Sequence, residues 1–171
     1  MFFKRTPKPR ATSGTDHLRE LVQRELPELD EDSARIIVSV AGLLAGVAYA
    51  DRVYGEAEQA FVRTALSRMD GVTEEGSEAI SRVLELHGQA IAVQNPQAFT
   101  RELRERVDVP LRLEVLELLL ELAAADGELR LAETDLLRRT AAALGLTSAD
   151  YLSLQERHRD RLSVLRADDK A

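Results

Sequence analysis

Apolar positions recur at helical spacing along nearly the whole chain. Leu18, Leu21, Val22 and Leu26 form one apolar stripe on a segment from Asp16 to Leu26, with Thr15 or Asp16 as its cap and Pro27 at its end. From Ile36 to Ala50 no charged residue occurs, between Arg35 and Asp51, and Asp32 and Ser33 stand ready to cap; this predicts a helix buried on every side. At 1.5 Å per residue such a run reaches only about 22 Å, too short to cross a bilayer. Gly42 and Gly46, one turn apart, mark a face on which another helix packs closely.

The same spacing continues downstream. Glu56 to about Arg68 predicts a helix with Ala57, Ala60, Phe61, Ala65 and Leu66 inward, ended by Asp70-Gly71. Thr73, with Glu74 and Glu75, opens a longer one, turning Ile80, Val83, Leu84, Ile91 and Val93 inward, weakened near Gly88 and stopped by Asn95-Pro96. Gln97 to Arg106 is amphipathic, with Phe99 and Leu103 on its apolar side, and Pro110 suits the first turn of the next helix. Leu111 to Ala125 is apolar almost all round, which places it at the centre of the fold. Asp126-Gly127 breaks it. Leu131 to Leu144 follows, Gly145 supplies a left-handed cap, and Thr147 or Ser148 starts a last helix to about Leu165. No stretch alternates with period two, so the fold expected is all-α, a compact bundle of seven to eight helices.

The chain also repeats itself. Residues 43 to 63 match residues 118 to 138 at 43, 44, 48, 50, 51, 57, 58 and 63, and with a one-residue slip Gly71 and Thr73 meet Gly145 and Thr147. Each copy runs from an apolar helix into an Asp, with a Glu seven residues later: Asp51 with Glu58, and Asp126 with Glu133. Two copies are too few for a solenoid, so a pseudo-two-fold internal repeat within one bundle is expected.

Composition sharpens this picture. Aromatics are 4% and the apolar residues are mostly Leu, Ala and Val, which favours helices over a sandwich or barrel. With no cysteine, the chain holds together by packing alone and has neither disulfides nor thiolate zinc sites, in keeping with a cytoplasmic setting. Net charge is −7, yet residues 1 to 14 carry Lys4, Arg5, Lys8 and Arg10 and no acid, leaving −11 on residues 15 to 171. So acidic a body repels phosphate backbones and predicts no nucleic-acid partner. Residues 1–14 read as a disordered basic tail, residues 15–165 as the helical domain and residues 166–171 as a flexible C-terminus. Phe2 and Phe3 beside four basic residues allow only weak, transient contact with an anionic membrane, and the tail lacks the apolar centre of a secretory signal.

The acidic pairs carry the candidate chemistry. An Asp at the end of one helix and a Glu near the start of the next bring two carboxylates to the same short connector. Oxygen-only ligands suit a hard divalent cation, Ca²⁺, Mg²⁺ or Mn²⁺, making Asp51, Glu58, Asp126 and Glu133 candidate metal ligands, with Glu128 and Asp135 as further oxygen donors at the second connector. The loops are not EF-hands, which need five or six ligands over twelve residues. A second reading stays open: a Glu at the third helical position can reach back to an unpaired backbone N–H and so fix the turn without any ion. It gains from the lack of a side-chain cap, since Gly55 and Arg130 or Leu131 precede the two helices.

Enzyme signatures are missing from the sequence: there is no G-x-S-x-G, P-loop, dinucleotide fingerprint or HExxH, and His17, His87 and His158 fall on separate helices as surface or partly buried residues. No catalytic activity is expected. Arg157, His158, Arg159, Arg161 and Arg166 make a modest basic patch on the last helix, read as a solvated face.

The run Leu118 to Glu133, followed by Leu136-Leu-Arg-Arg139 and Leu144-Gly-Leu146, together with its first copy, resembles the TerB-like family of tellurite-resistance-associated proteins over roughly residues 33 to 155. The resemblance implies an all-helical fold of two similar halves, and makes the four matched acids a metal-binding or interaction surface. It also implies a sensor or adaptor role in a stress response, tellurite or toxic-ion resistance, with protein partners that include membrane-associated systems. Family members fused to chaperone J-type domains suggest an alternative, a co-chaperone-like helical scaffold without metal. The chain departs from the family pattern in its first copy, where Arg52 replaces Gly and Val53 stands where the second copy has Glu128. A neighbouring cation competes with a bound ion, so Asp126 and Glu133 are the stronger pair.

Overall fold

A computed structural model describes residues 14–50, 54–94, 96–125 and 131–158, and the side chains of residues 131 and 132 fall outside it. All its regular structure is helical: α1 (Gly14–Glu25), α2 (Glu31–Ala48), α3 (Glu56–Ser67), α4 (Glu74–Gln94), α5 (Pro96–Arg106), α6 (Val109–Ala123), α7 (Leu131–Ala143) and α8 (Ser148–Arg157). No described helix is long and apolar enough to cross a membrane.

The charge-free run becomes α2, and it touches α1, α3, α4, α5, α6 and α7. Ile37, Ala41 and Leu44 are closed to solvent along it, and so are Leu116, Leu119, Leu120 and Leu122 of α6, the other core helix. Apolar burial of this extent, at roughly 25 cal/mol per Å², is the main force holding a cysteine-free domain together. The glycines of α2 behave differently from each other. A side-chain carbon on Gly42 would run into the ring of Phe99 on α5, whereas one on Gly46 would meet nothing within 4 Å. Only Gly42 therefore serves close packing.

Helix starts follow local capping rules, shifted by a residue or two from expectation. Asp30, rather than Asp32 or Ser33, caps α2, its Oδ1 accepting from the Ser33 N–H at 2.9 Å. Asp108 does the same for α6, accepting from the Leu111 N–H at 3.1 Å with Pro110 in the first turn. The repeat extends into the turns. Gly71 and Gly145 both take positive φ, 79° and 75°, and two residues later Thr73 and Thr147 each accept from a backbone N–H to open α4 and α8.

Several details differ from the sequence reading. Gly14 is the first residue of α1 rather than part of the tail; residues 1–13 lie outside the described residues. Helix α4 runs unbroken through Gly88, where the missing side chain admits the Tyr49 ring against the backbone. Val93 is 76% exposed, because Ile91 has taken the inward position of that last turn. On α3 the inner face is rotated: Ala57 and Ala60 are exposed, while Glu58, Val62, Ala65 and Leu66 are buried. Helix α8 ends at Arg157 with His158 as its cap, and the expected extension to Leu165 lies outside the described residues. His158 is buried, its Nε2 lying 3.0 Å from Glu117 Oε1 of α6, so it anchors α8 instead of joining a solvated basic face.

The two glycines give a test of opposite sign. Gly42→Ala should destabilise by about 1–3 kcal/mol through overpacking against Phe99. Gly46→Ala should stabilise by about 0.5–1 kcal/mol by restricting the unfolded chain. Urea denaturation of the two variants checks both, and equal effects would contradict this packing.

Candidate functional site at the two helix connectors

Glu58 is the third residue of α3 and Glu133 the third of α7. Each begins a core-facing stripe with the same steps: Glu58, Val62, Ala65 and Leu66 in the first copy, and Glu133, Leu137, Thr140 and Ala141 in the second, are all buried. Both acids are therefore carried inward by the helix period, and they end 8% and 3% exposed. Carboxylates are seldom buried so far without partners, because desolvation penalises their charge.

Glu58 has one partner in plain view. Its Oε2 accepts from the backbone N–H of Gly55 at 2.8 Å. Gly55 takes an extended conformation, φ −75° and ψ 167°, and has no side chain to return the bond, so this is half of a capping box. The N-terminal end of α3 also favours the negative charge. This contact is the turn-fixing one that a Glu at this position predicts. One oxygen is used in this way, and a carboxylate offers about four lone-pair directions.

Asp51 and Asp126 lie outside the described residues, as do Arg52, Val53, Gly127 and Glu128. Neither Asp–Glu pair is thus seen joined, and among the described residues no group of three or more His, Asp or Glu side chains forms a metal cluster. Asp135, a further oxygen donor at the second connector, is exposed and ion-paired with Arg138 at 3.0 Å.

Around the first connector the structure gathers residues that helical periodicity does not single out. The Tyr49 hydroxyl donates to the carbonyls of Leu84 and Glu85 at 3.1 and 3.0 Å, pinning the end of α2 to α4. Tyr54 stacks at a tilt on Tyr49, ring centroids 5.1 Å apart. Burial pushes both phenols up in pKa, and for Tyr54 the nearby Tyr49 and the carboxylates of Glu58 and Glu85 add to the shift, so both stay protonated. The second copy has Ala124 and Leu129 at the corresponding places and cannot make this brace. The only sequence signal was two of the three tyrosines flanking one connector, with a glycine available on α4. His17 and His87 also meet, stacked with centroids 5.3 Å apart, linking α1 to α4.

Residues 38–156 match the family model of tellurite resistance protein TerB, close to the span of roughly 33 to 155 over which the sequence resembles that family. No curated protein and no solved structure matches the chain.

The role of Glu58 as a backbone partner is measurable. Glu58→Ala strands the Gly55 N–H and should cost about 1–2 kcal/mol, lowering the thermal midpoint by roughly 3–6 °C for a domain of this size. Glu58→Gln keeps an acceptor there and should recover more than half of that loss. Equal losses in the two variants would show that the charge, not the hydrogen bond, is what the turn requires.

Proposed function

Because the chain belongs to the TerB family of tellurite resistance proteins, we propose that it is a cytoplasmic, non-catalytic adaptor in a stress response to tellurite or related toxic ions, and that its two acidic connectors are the working surface. The observation that carries this reading is the pair of equivalent, deeply buried glutamates, Glu58 and Glu133, each opening a core-facing stripe at a connector. Glu58 holds its turn through the Gly55 N–H, and the same residue type buried in register at Glu133 directs attention to both connectors.

A divalent cation, Ca²⁺, Mg²⁺ or Mn²⁺, fits the donor chemistry: all-oxygen ligands and, at Glu58, a carboxylate with one oxygen committed to Gly55. Asp126 with Glu133 would hold the ion at the second connector, and Asp51 with Glu58 at the first. When bound, the ion supplies positive charge and cross-links the two helices of each unit. The protein's own part is to set the turn and keep the Glu side chain inward. Arg52 disfavours the first site, so the second is the principal one. Protein partners then read connector shape, and an acidic body with net charge −11 over residues 15–171 does not favour nucleic acid.

A second reading is supported by the Gly55–Glu58 hydrogen bond: a co-chaperone-like scaffold in which the glutamates only fix turns. Calorimetric titration of the full chain with Ca²⁺, Mg²⁺ and Mn²⁺ separates the two. The adaptor reading expects binding of at least one ion in the micromolar to millimolar range, lost at least tenfold in Asp126→Asn/Glu133→Gln and less in Asp51→Asn/Glu58→Gln. No heat from the wild type at millimolar ion would leave the scaffold reading.

A further inference from the structure

A cleft of about 260 Å³ opens between α3 and α4, beside the first connector. Tyr54 and Ser81 line it, and their hydroxyls are shut off from solvent and have no hydrogen-bond partner among the described residues. Ser81 is 8% exposed, and its neighbours along α4, Ile80 and Leu84, belong to the core. Buried hydroxyls are nearly always satisfied, so two orphans in one cleft mark a place where something polar is missing. The phenol of Tyr54, held protonated by burial, is a hydrogen-bond donor at neutral pH. Gln59 also lines the cleft and is oriented by the bond from its amide to the Tyr54 carbonyl, 3.1 Å.

The rim carries charge of both signs: Arg63 and Arg82, Glu78 and Glu85. All four are exposed, and none makes an ion pair among the described residues. In the second copy the counterpart of Arg63, Arg138, is paired with Asp135 at 3.0 Å. Among the described residues, then, Arg63 is unpaired where its counterpart is not. A simple anion entering here meets two carboxylates, and a simple cation meets two guanidinium groups, whereas a molecule with both charges can satisfy both. Ordinary water occupies about 30 Å³, so the volume admits either several waters or one small molecule.

The geometry points to a binding site for a small zwitterion of the amino-acid class, its carboxylate towards Arg63 and Arg82, its ammonium towards Glu78 and Glu85, and its polar edge on the Tyr54 and Ser81 hydroxyls. The site shares no ligand with the proposed cation site at the second connector, so each can fail without the other.

The test uses the ¹⁵N-labelled full chain titrated with glycine, L-serine and L-glutamine. Sodium acetate, methylammonium chloride and glycerol serve as probes of each single feature. The expected result is saturable shifts of the amides of residues 54–63 and 78–85 by at least one of the three zwitterions in the millimolar range. Each single-feature probe should bind at least tenfold more weakly. Ser81→Ala and Tyr54→Phe, which remove only the hydroxyls, should each raise Kd at least fivefold while keeping the circular dichroism of the parent. The proposal is overturned if none of the three zwitterions shifts those amides at about 20 mM, a concentration that reaches even weak binding. It is equally overturned if a single-feature probe binds as tightly, or if both hydroxyl variants bind unchanged; the cleft then holds only water.

Discussion

A helix without a charged residue from Ile36 to Ala50 has to be covered on every side, and most of the architecture follows from that. Helix α2 cannot lie at a surface, so α1 and α4 of the first half and α5 and α6 of the second pack on it. Gly42 lets Phe99 bring α5 close, and Gly88 lets Tyr49 reach the backbone of α4. Both approaches use a helix position where only a hydrogen fits. The polar groups that such packing would strand are settled locally, by the Asp30, Asp108 and Thr147 caps and by Glu58 at Gly55.

The duplication shapes what the connectors can do. Two units share a plan in which an inward-facing glutamate opens the second helix, a left-handed glycine ends it, and a threonine starts the next. They have diverged around that plan. The first connector is braced by the Tyr49–Tyr54 pair against α4 and bears Arg52, while the second has Ala124 and Leu129 and keeps Gly127 and Glu128. A braced connector suits a fixed structural element. A connector without the tyrosine pair, and with one more acid beside its Arg130, suits a response to ions. Divergence of this kind leaves the fold intact because the shared glutamates, Glu58 and Glu133, are buried in both copies.

Much of this was legible in the residues. The apolar period located all eight described helices, and the 75-residue offset pointed to both connectors and to the buried Glu58 and Glu133. Periodicity missed what depends on a partner from elsewhere in the chain. Gly88 read as a weak point because glycine disfavours helix in isolation, yet Tyr49 needs the space. The inner face of α3 was misplaced because Ala57 and Ala60 are apolar but small, and burying Val62 and Leu66 with Glu58 covers more surface. The same rotation turned Glu58 inward, which residue-type rules oppose and its bond to Gly55 helps make tolerable. The cleft joins Tyr54 of the first connector and residues of α3 to Ser81 and its neighbours on α4, which share no spacing, so no linear pattern could have shown it.

The account rests on the claim that the connectors, and the second above the first, are where the protein meets ions. Paramagnetic line broadening by Mn²⁺ in ¹H–¹⁵N spectra of the full chain locates an ion directly, because broadening falls steeply with distance from it. The account predicts that substoichiometric Mn²⁺ broadens amides around residues 125–135 first, those around 50–58 only at higher ion, and that excess Mg²⁺ reverses both. Broadening centred elsewhere, or spread evenly over the acidic surface, would contradict it.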